Sequence, residues 1–298
     1  MGLRQLWRRW KLRGEFPATI RLLISDVDGT LIGDEEAIAP STAELLRSVN
    51  QAGIALALAS ARPYPSITRL IRSAALSAWV ISLDGALLHS PEGELLFAAQ
   101  IPGELLEHIL ELGSHYHAEY AAFTPTEVVL TAAAHIPSYL DDPGLPRRTA
   151  QLRRDFLQEP VVMLIVSAPH PQALGLLKSL EHLPRSLRRQ LSAAAVESSS
   201  SPGTTLIELR LRHADKGTAA EALRRHLGLP RSALMAVGDF RNDLPLFRVC
   251  GYRVAMADAV AELRSQADWV TSRPASERGI EELLLRLLEA RRSAAHKA

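Results

Sequence analysis

Five short apolar runs punctuate the chain, at 20–24, 54–59, 80–83, 234–237 and 254–256, and stretches with helical spacing such as 41–51 and 219–227 lie between them. Each run is nearly continuous Leu, Ile, Val and Ala rather than an alternation of apolar and polar residues. Such a strand is buried on both faces, the condition of a parallel sheet covered by helices on each side. The pattern predicts an α/β fold with a doubly wound, Rossmann-type parallel sheet.

The rhythm breaks after Asp84-Gly85-Ala86. A hairpin is predicted around Ser90-Pro91-Glu92-Gly93, then a helix from 102 to about 115, strands at 127–130, 161–166 and 205–209, and a helix at 171–183. Loop signals are dense at Asp141-Asp142-Pro143-Gly144 and at 198–203. Residues 86–212 are therefore expected to form a second α/β domain, a cap inserted into the first, which leaves 19–85 and 213–298 as the core. Residues 1–18 form a basic amphipathic extension, with Leu3, Leu6, Trp7 and Trp10 on one helical face among arginines and lysine. It is expected to dock on its own domain or a neighbouring subunit.

Across 298 residues, 34 basic and 33 acidic side chains leave a formal charge of +1, so no global field favours nucleic acid and any anion must be held locally. One cysteine, Cys250, excludes an intrachain disulfide. No apolar run approaches the roughly 20 residues that an integral membrane helix needs. The expected location is the cytoplasm.

Three core runs end directly in polar residues: Asp26-Val27-Asp28-Gly29-Thr30, Ser60-Ala61-Arg62-Pro63, and Gly238-Asp239-Phe240-Arg241-Asn242-Asp243. Ligands of open parallel sheets bind beyond the carboxyl ends of the strands, so these groups are expected to share one crevice with Asp215-Lys216-Gly217, at a predicted helix start. Carboxylates from Asp26, Asp28, Asp239 and Asp243 repel one another unless a cation sits between them. An all-oxygen set suits Mg2+, while the histidines lack ligand spacing. Magnesium, a lysine, a hydroxyl and an aspartate nucleophile are the parts that phosphoryl transfer uses. Asp28, two residues beyond Asp26, is placed to act as acid and base. Taken singly, the first motif is a strand-end turn, Ser60 a helix cap and Lys216 a solvated helix start. Four motifs in one order outweigh those readings. Arg62 and Arg241 read as surface ion-pair formers.

In these motifs the chain resembles the haloacid dehalogenase (HAD) superfamily, and in particular its Cof-like sugar-phosphatase branch, whose cap lies between the second and third motifs. The resemblance runs from residue 20 onward. It implies a phosphomonoester hydrolase working through an aspartyl-phosphate, with Asp26 as nucleophile and Asp28 as general acid/base. Magnesium would be held by Asp26, the Asp28 carbonyl and Asp239, with Asp243 in support. Ser60, Lys216 and Asn242 would hold phosphoryl oxygens of a small phosphorylated substrate, by default a sugar phosphate. The branch has Thr-Gly-Arg where this chain has Ser60-Ala61-Arg62, and Asn-Gly-Ala where it has Asp84-Gly85-Ala86. Asp84 thus adds a carboxylate beside the phosphoryl position and is expected to pair with a cation such as Arg62. The rival readings are a sugar phosphomutase of the same superfamily and a ligand-binding or regulatory homologue that has lost turnover.

Overall fold

A computed structural model describes residues 16–33, 35–150, 153–197 and 201–296. Most of the tryptophan- and arginine-rich extension, residues 1–15, lies outside them.

Among the described residues, two sheets carry the chain, each with its own apolar core. In chain order the first contains β1 (Leu22–Asp26), β2 (Ala55–Ala59), β3 (Trp79–Ser82), β4 (Leu87–His89), β5 (Leu95–Ala98), β12 (Leu234–Gly238), β13 (Tyr252–Ala255) and β14 (Trp269–Val270). Their spatial order is β14-β13-β12-β1-β2-β3-β4-β5, and all neighbours from β14 to β3 are parallel. The second sheet contains β6 (Glu119–Phe123), β7 (Val128–Leu130), β8 (Arg147–Thr149), β9 (Met163–Pro169), β10 (Leu191–Glu197) and β11 (Thr204–Leu211). Its order is β10-β11-β9-β6-β7-β8, antiparallel except for β7 with β8.

The helices are α1 (Pro40–Gln51), α2 (Tyr64–Ser73), α3 (Gly103–Ser114), α4 (His170–Leu180), α5 (Arg185–Arg188), α6 (Lys216–His226), α7 (Leu244–Val249), α8 (Ala261–Gln266) and α9 (Ile280–Ala295). Leu22, Leu23 and Ile24 of β1 are at most 1% exposed, as a central parallel strand covered on both faces requires.

One boundary differs from the sequence reading. The hairpin of β4 and β5, expected within the insertion, pairs antiparallel with β3 and extends the first sheet, so the second unit starts after Ala98. The alternation in Leu87–Ala98 fits either unit, and the hairpin packs on both: Leu88 lies in the first core and Leu87 in the second, while the pairing with β3 fixes the sheet it joins.

Ion pairs join the units, two of them at residues named in the sequence reading. Arg69 on α2 forks onto both oxygens of Asp142, at 2.8 and 2.5 Å, and hydrogen bonding from that guanidinium holds the Asp142 carboxyl below its usual range. Arg210 at the end of β11 binds Asp84 in the first unit at 2.6 Å.

Candidate active site

The strand order puts β12, β1 and β2 side by side, so the residues that end them meet at one edge. Asp26 ends β1, Ser60 follows β2 and Asp239 follows β12. After Asp26 the chain turns tightly, with backbone bonds from Leu31 and Ile32 back to Val27. Gly29 makes that turn possible: its φ is +78°, and a Cβ there would lie 2.4 Å from Asp239 Oδ2.

Lys216 opens α6 behind an Asp215 N-cap that accepts from the Thr218 amide at 2.8 Å. Its side chain is wholly buried and donates to Asp26 Oδ1 at 2.5 Å and Asp243 Oδ1 at 2.6 Å. Burial opposes the ammonium charge, yet Asp26 and Asp243 more than compensate, and the lysine pKa lies above its ordinary value. Asp243 Oδ2 accepts from the Asp239 and Phe240 amides at 3.1 and 3.2 Å. Thr30 donates to Asp239 Oδ1 at 3.0 Å.

Asp26, Asp239 and Asp243 each offer one oxygen, and these atoms lie within 4.8 Å of one another. Burial, only partly offset by Lys216, pushes the Asp26 carboxyl well above its usual range, and burial with Asp243 lifts Asp239 to about 6. Asp26 Oδ2 is buried with no hydrogen-bond partner. A cluster of this kind needs positive charge beyond Lys216. Asp26 and Asp239 fit a hard divalent cation, whereas both Asp243 oxygens are already used in positioning Lys216 and the loop after β12.

Asp28 stands beside this cluster, more exposed. Arg62 Nε donates to its Oδ2 at 2.9 Å and Nη2 to its Oδ1 at 2.5 Å, while the Ser60 hydroxyl reaches Oδ2 at 3.3 Å. Asp84 lies within a 3-10 turn, Leu83–Gly85, with φ of 48°, 56° and 102° at its three residues. Gly85 packs so closely on Asp215 that a Cβ would sit 2.1 Å from its carbonyl carbon, which brings the turn against the start of α6. Asn242 donates to Asp84 Oδ1 at 3.0 Å.

The expected residues thus lie in one neighbourhood: Asp26, Lys216, Asp239 and Asp243 in direct or near contact, Asp28 with Ser60, and Asp84 with Asn242. Two arginines change the reading. Asp84 pairs with Arg210, not Arg62, because Arg62 is already forked onto Asp28. Sequence reasoning set Arg62 aside as a surface residue, although its place two residues after Ser60 was a usable signal. Arg210 carried none, since Glu208 and Arg210 look like the polar half of an alternating strand.

The chain is similar to several known proteins. HMP-PP phosphatase of Serratia proteamaculans (strain 568) is 27% identical over 251 residues, spanning 82% of this chain and 86% of that protein. Phosphatase YwpJ of Bacillus subtilis (strain 168) is 26% identical over 270 residues, 85% of this chain and 94% of that one. The crystal structure of TM0651 from Thermotoga maritima shares the fold, with a TM-score of 0.75 at 23% identity over 90% of this chain and 97% of that one. The profile of the haloacid dehalogenase-like hydrolases matches residues 23–284, and the chain belongs to that family.

Proposed function

We propose that the protein is a magnesium-dependent phosphomonoester hydrolase that works through an aspartyl-phosphate on Asp26, with a small sugar phosphate or related phosphorylated metabolite as substrate. The observation that carries this reading is the state of Asp26: one oxygen is fixed by Lys216, and the other is buried and unbonded within a carboxylate cluster. The names of the relatives, HMP-PP phosphatase and phosphatase YwpJ, support the reaction class.

Asp26 and Asp239, with the Asp28 carbonyl, would hold the magnesium, which supplies charge neutralisation for a phosphoryl group in transfer. Lys216 orients Asp26 and offsets its charge. Asp26 forms the new bond to phosphorus as the ester P–O bond breaks, and Asp28 delivers a proton to the departing oxygen. Asp28 then takes a proton from water, the acyl phosphate is cleaved at phosphorus, and free phosphate leaves. The Arg62 fork suits the ionised form of Asp28, so the proton-carrying form requires Arg62 to release one oxygen. The second unit acts as a cap that excludes water over the site.

An aryl phosphate assay tests this reading. Phosphate release should require magnesium and vanish in Asp26→Asn. Equal turnover in that variant, or in chelated protein, would refute it.

A further inference from the structure

The polar network above Asp84 has no part in the mechanism just described. Arg210 Nη1 binds Asp84 Oδ2 at 2.6 Å, and Arg210 Nε lies 3.3 Å from Glu208 Oε1. Tyr139 donates from its hydroxyl to Glu208 Oε2 at 2.7 Å, and burial together with Glu208 holds that phenol above its ordinary pKa, so it stays neutral. Glu208 and Arg210 stand two residues apart on β11 and so project from one face of the second sheet. The chain of contacts runs from that sheet through Asp84 to Asn242, and Asp84 lies close enough to Lys216 to raise its pKa.

Every cation of the site is engaged among the described residues: Lys216 by Asp26 and Asp243, Arg62 by Asp28, Arg210 by Asp84 and Glu208. The network itself holds two carboxylates against one guanidinium. Arg210, Asp84 and Glu208 have side chains only 21%, 10% and 17% exposed, so solvent screens them weakly.

We propose that the Asp84–Arg210 pair, backed by Glu208 and Tyr139, determines specificity here: it admits an uncharged, hydroxyl-rich leaving group carrying one phosphate and rejects substrates with a second anionic group. The inference rests on the phosphatase reading and deepens it. A second phosphate would meet a network with net negative charge and no unpaired donor cation, whereas sugar hydroxyls can donate to Glu208, Asp84 and the Tyr139 oxygen and accept from Arg210.

The test measures calorimetric binding of glucose 6-phosphate and glucose 1,6-bisphosphate, with magnesium, in an Asp26→Asn background that stops turnover. The bisphosphate should bind more weakly than the monophosphate. Adding Asp84→Asn removes one of the two carboxylates that hold Arg210 and should raise the bisphosphate-to-monophosphate affinity ratio by about tenfold. Arg210→Gln should lower that ratio, and Arg210→Lys should restore most of it, which loss of a merely structural contact would not produce. Glu208→Gln, farther from the core, should shift the ratio in the direction of Asp84→Asn and serves if that variant fails to fold. A ratio within about twofold of the parent in Asp84→Asn, Glu208→Gln and Arg210→Gln proteins of unchanged melting temperature would overturn the proposal. Because these are binding ratios, they stand apart from the hydrolysis assay, whose failure would instead remove the phosphatase reading.

Discussion

The Lys216 ammonium touches Asp26 Oδ1 at 2.5 Å, and the lysine has no solvent exposure. A buried ion pair of this kind is held by geometry rather than by net energy, and breaking it leaves an uncompensated charge. Lys216→Met should therefore destabilise the protein by about 3 kcal/mol and abolish phosphate release, since Asp26 and Asp243 lose their shared counter-ion. Urea denaturation checks the first effect. A variant as stable as the parent would show that the two carboxylates do not depend on this cation.

Metal removal gives a second test. If Asp26 and Asp239 hold magnesium, saturating metal should raise the stability of the folded protein by about 2.7 kcal/mol at a hundredfold excess over Kd. Asp239→Asn should lose most of that gain while melting normally without metal. Thermal scans with and without magnesium measure both, and an unchanged gain in the variant would exclude Asp239 as a ligand.

The Arg69–Asp142 fork predicts a pH effect on the contact between the two units. Asp142 has a depressed pKa when folded, so its contribution is present above the ordinary aspartate value of 3.8 and is lost as pH falls below it. Arg69 remains 54% exposed, which limits the pair to about 1 kcal/mol. Asp142→Asn should therefore be less stable than the parent at pH 7, and the difference should shrink in acid. A gap that persists unchanged at the lowest accessible pH would mean that the fork contributes nothing through charge.

Much of this was legible in the sequence because it is local. Continuous apolar runs mark buried parallel strands, and the residues directly after β1, β2 and β12 are the ones that the strand order brings together. Asp243 was legible as a carboxylate of the site, but its two oxygens are committed to Lys216 and two backbone amides, which only the folded loop reveals. Long-range docking was not legible. Arg210 and Asp84 are 126 residues apart, and nothing in the alternation of β11 distinguishes a solvent-facing arginine from one aimed at another unit. The Leu87–Ala98 hairpin falls inside the 86–212 insertion in the sequence reading yet joins the first sheet, since a short amphipathic hairpin carries no record of the edge it joins. Strands β6 and β10 were missed because the alanines of Glu119–Phe123 and Leu191–Glu197 give a weak apolar signal.

The central claim is that Asp26 carries the phosphoryl group. An aspartyl-phosphate is an acyl phosphate, which borohydride reduces to the alcohol, converting the aspartate into homoserine. The decisive measurement is mass spectrometry of the peptide containing residue 26 after rapid quench of turning-over protein into borohydride. The account predicts homoserine at position 26, dependent on substrate and magnesium and absent in Lys216→Met. An unmodified Asp26 together with homoserine at another aspartate, or hydrolysis without any reducible acyl phosphate, would contradict it.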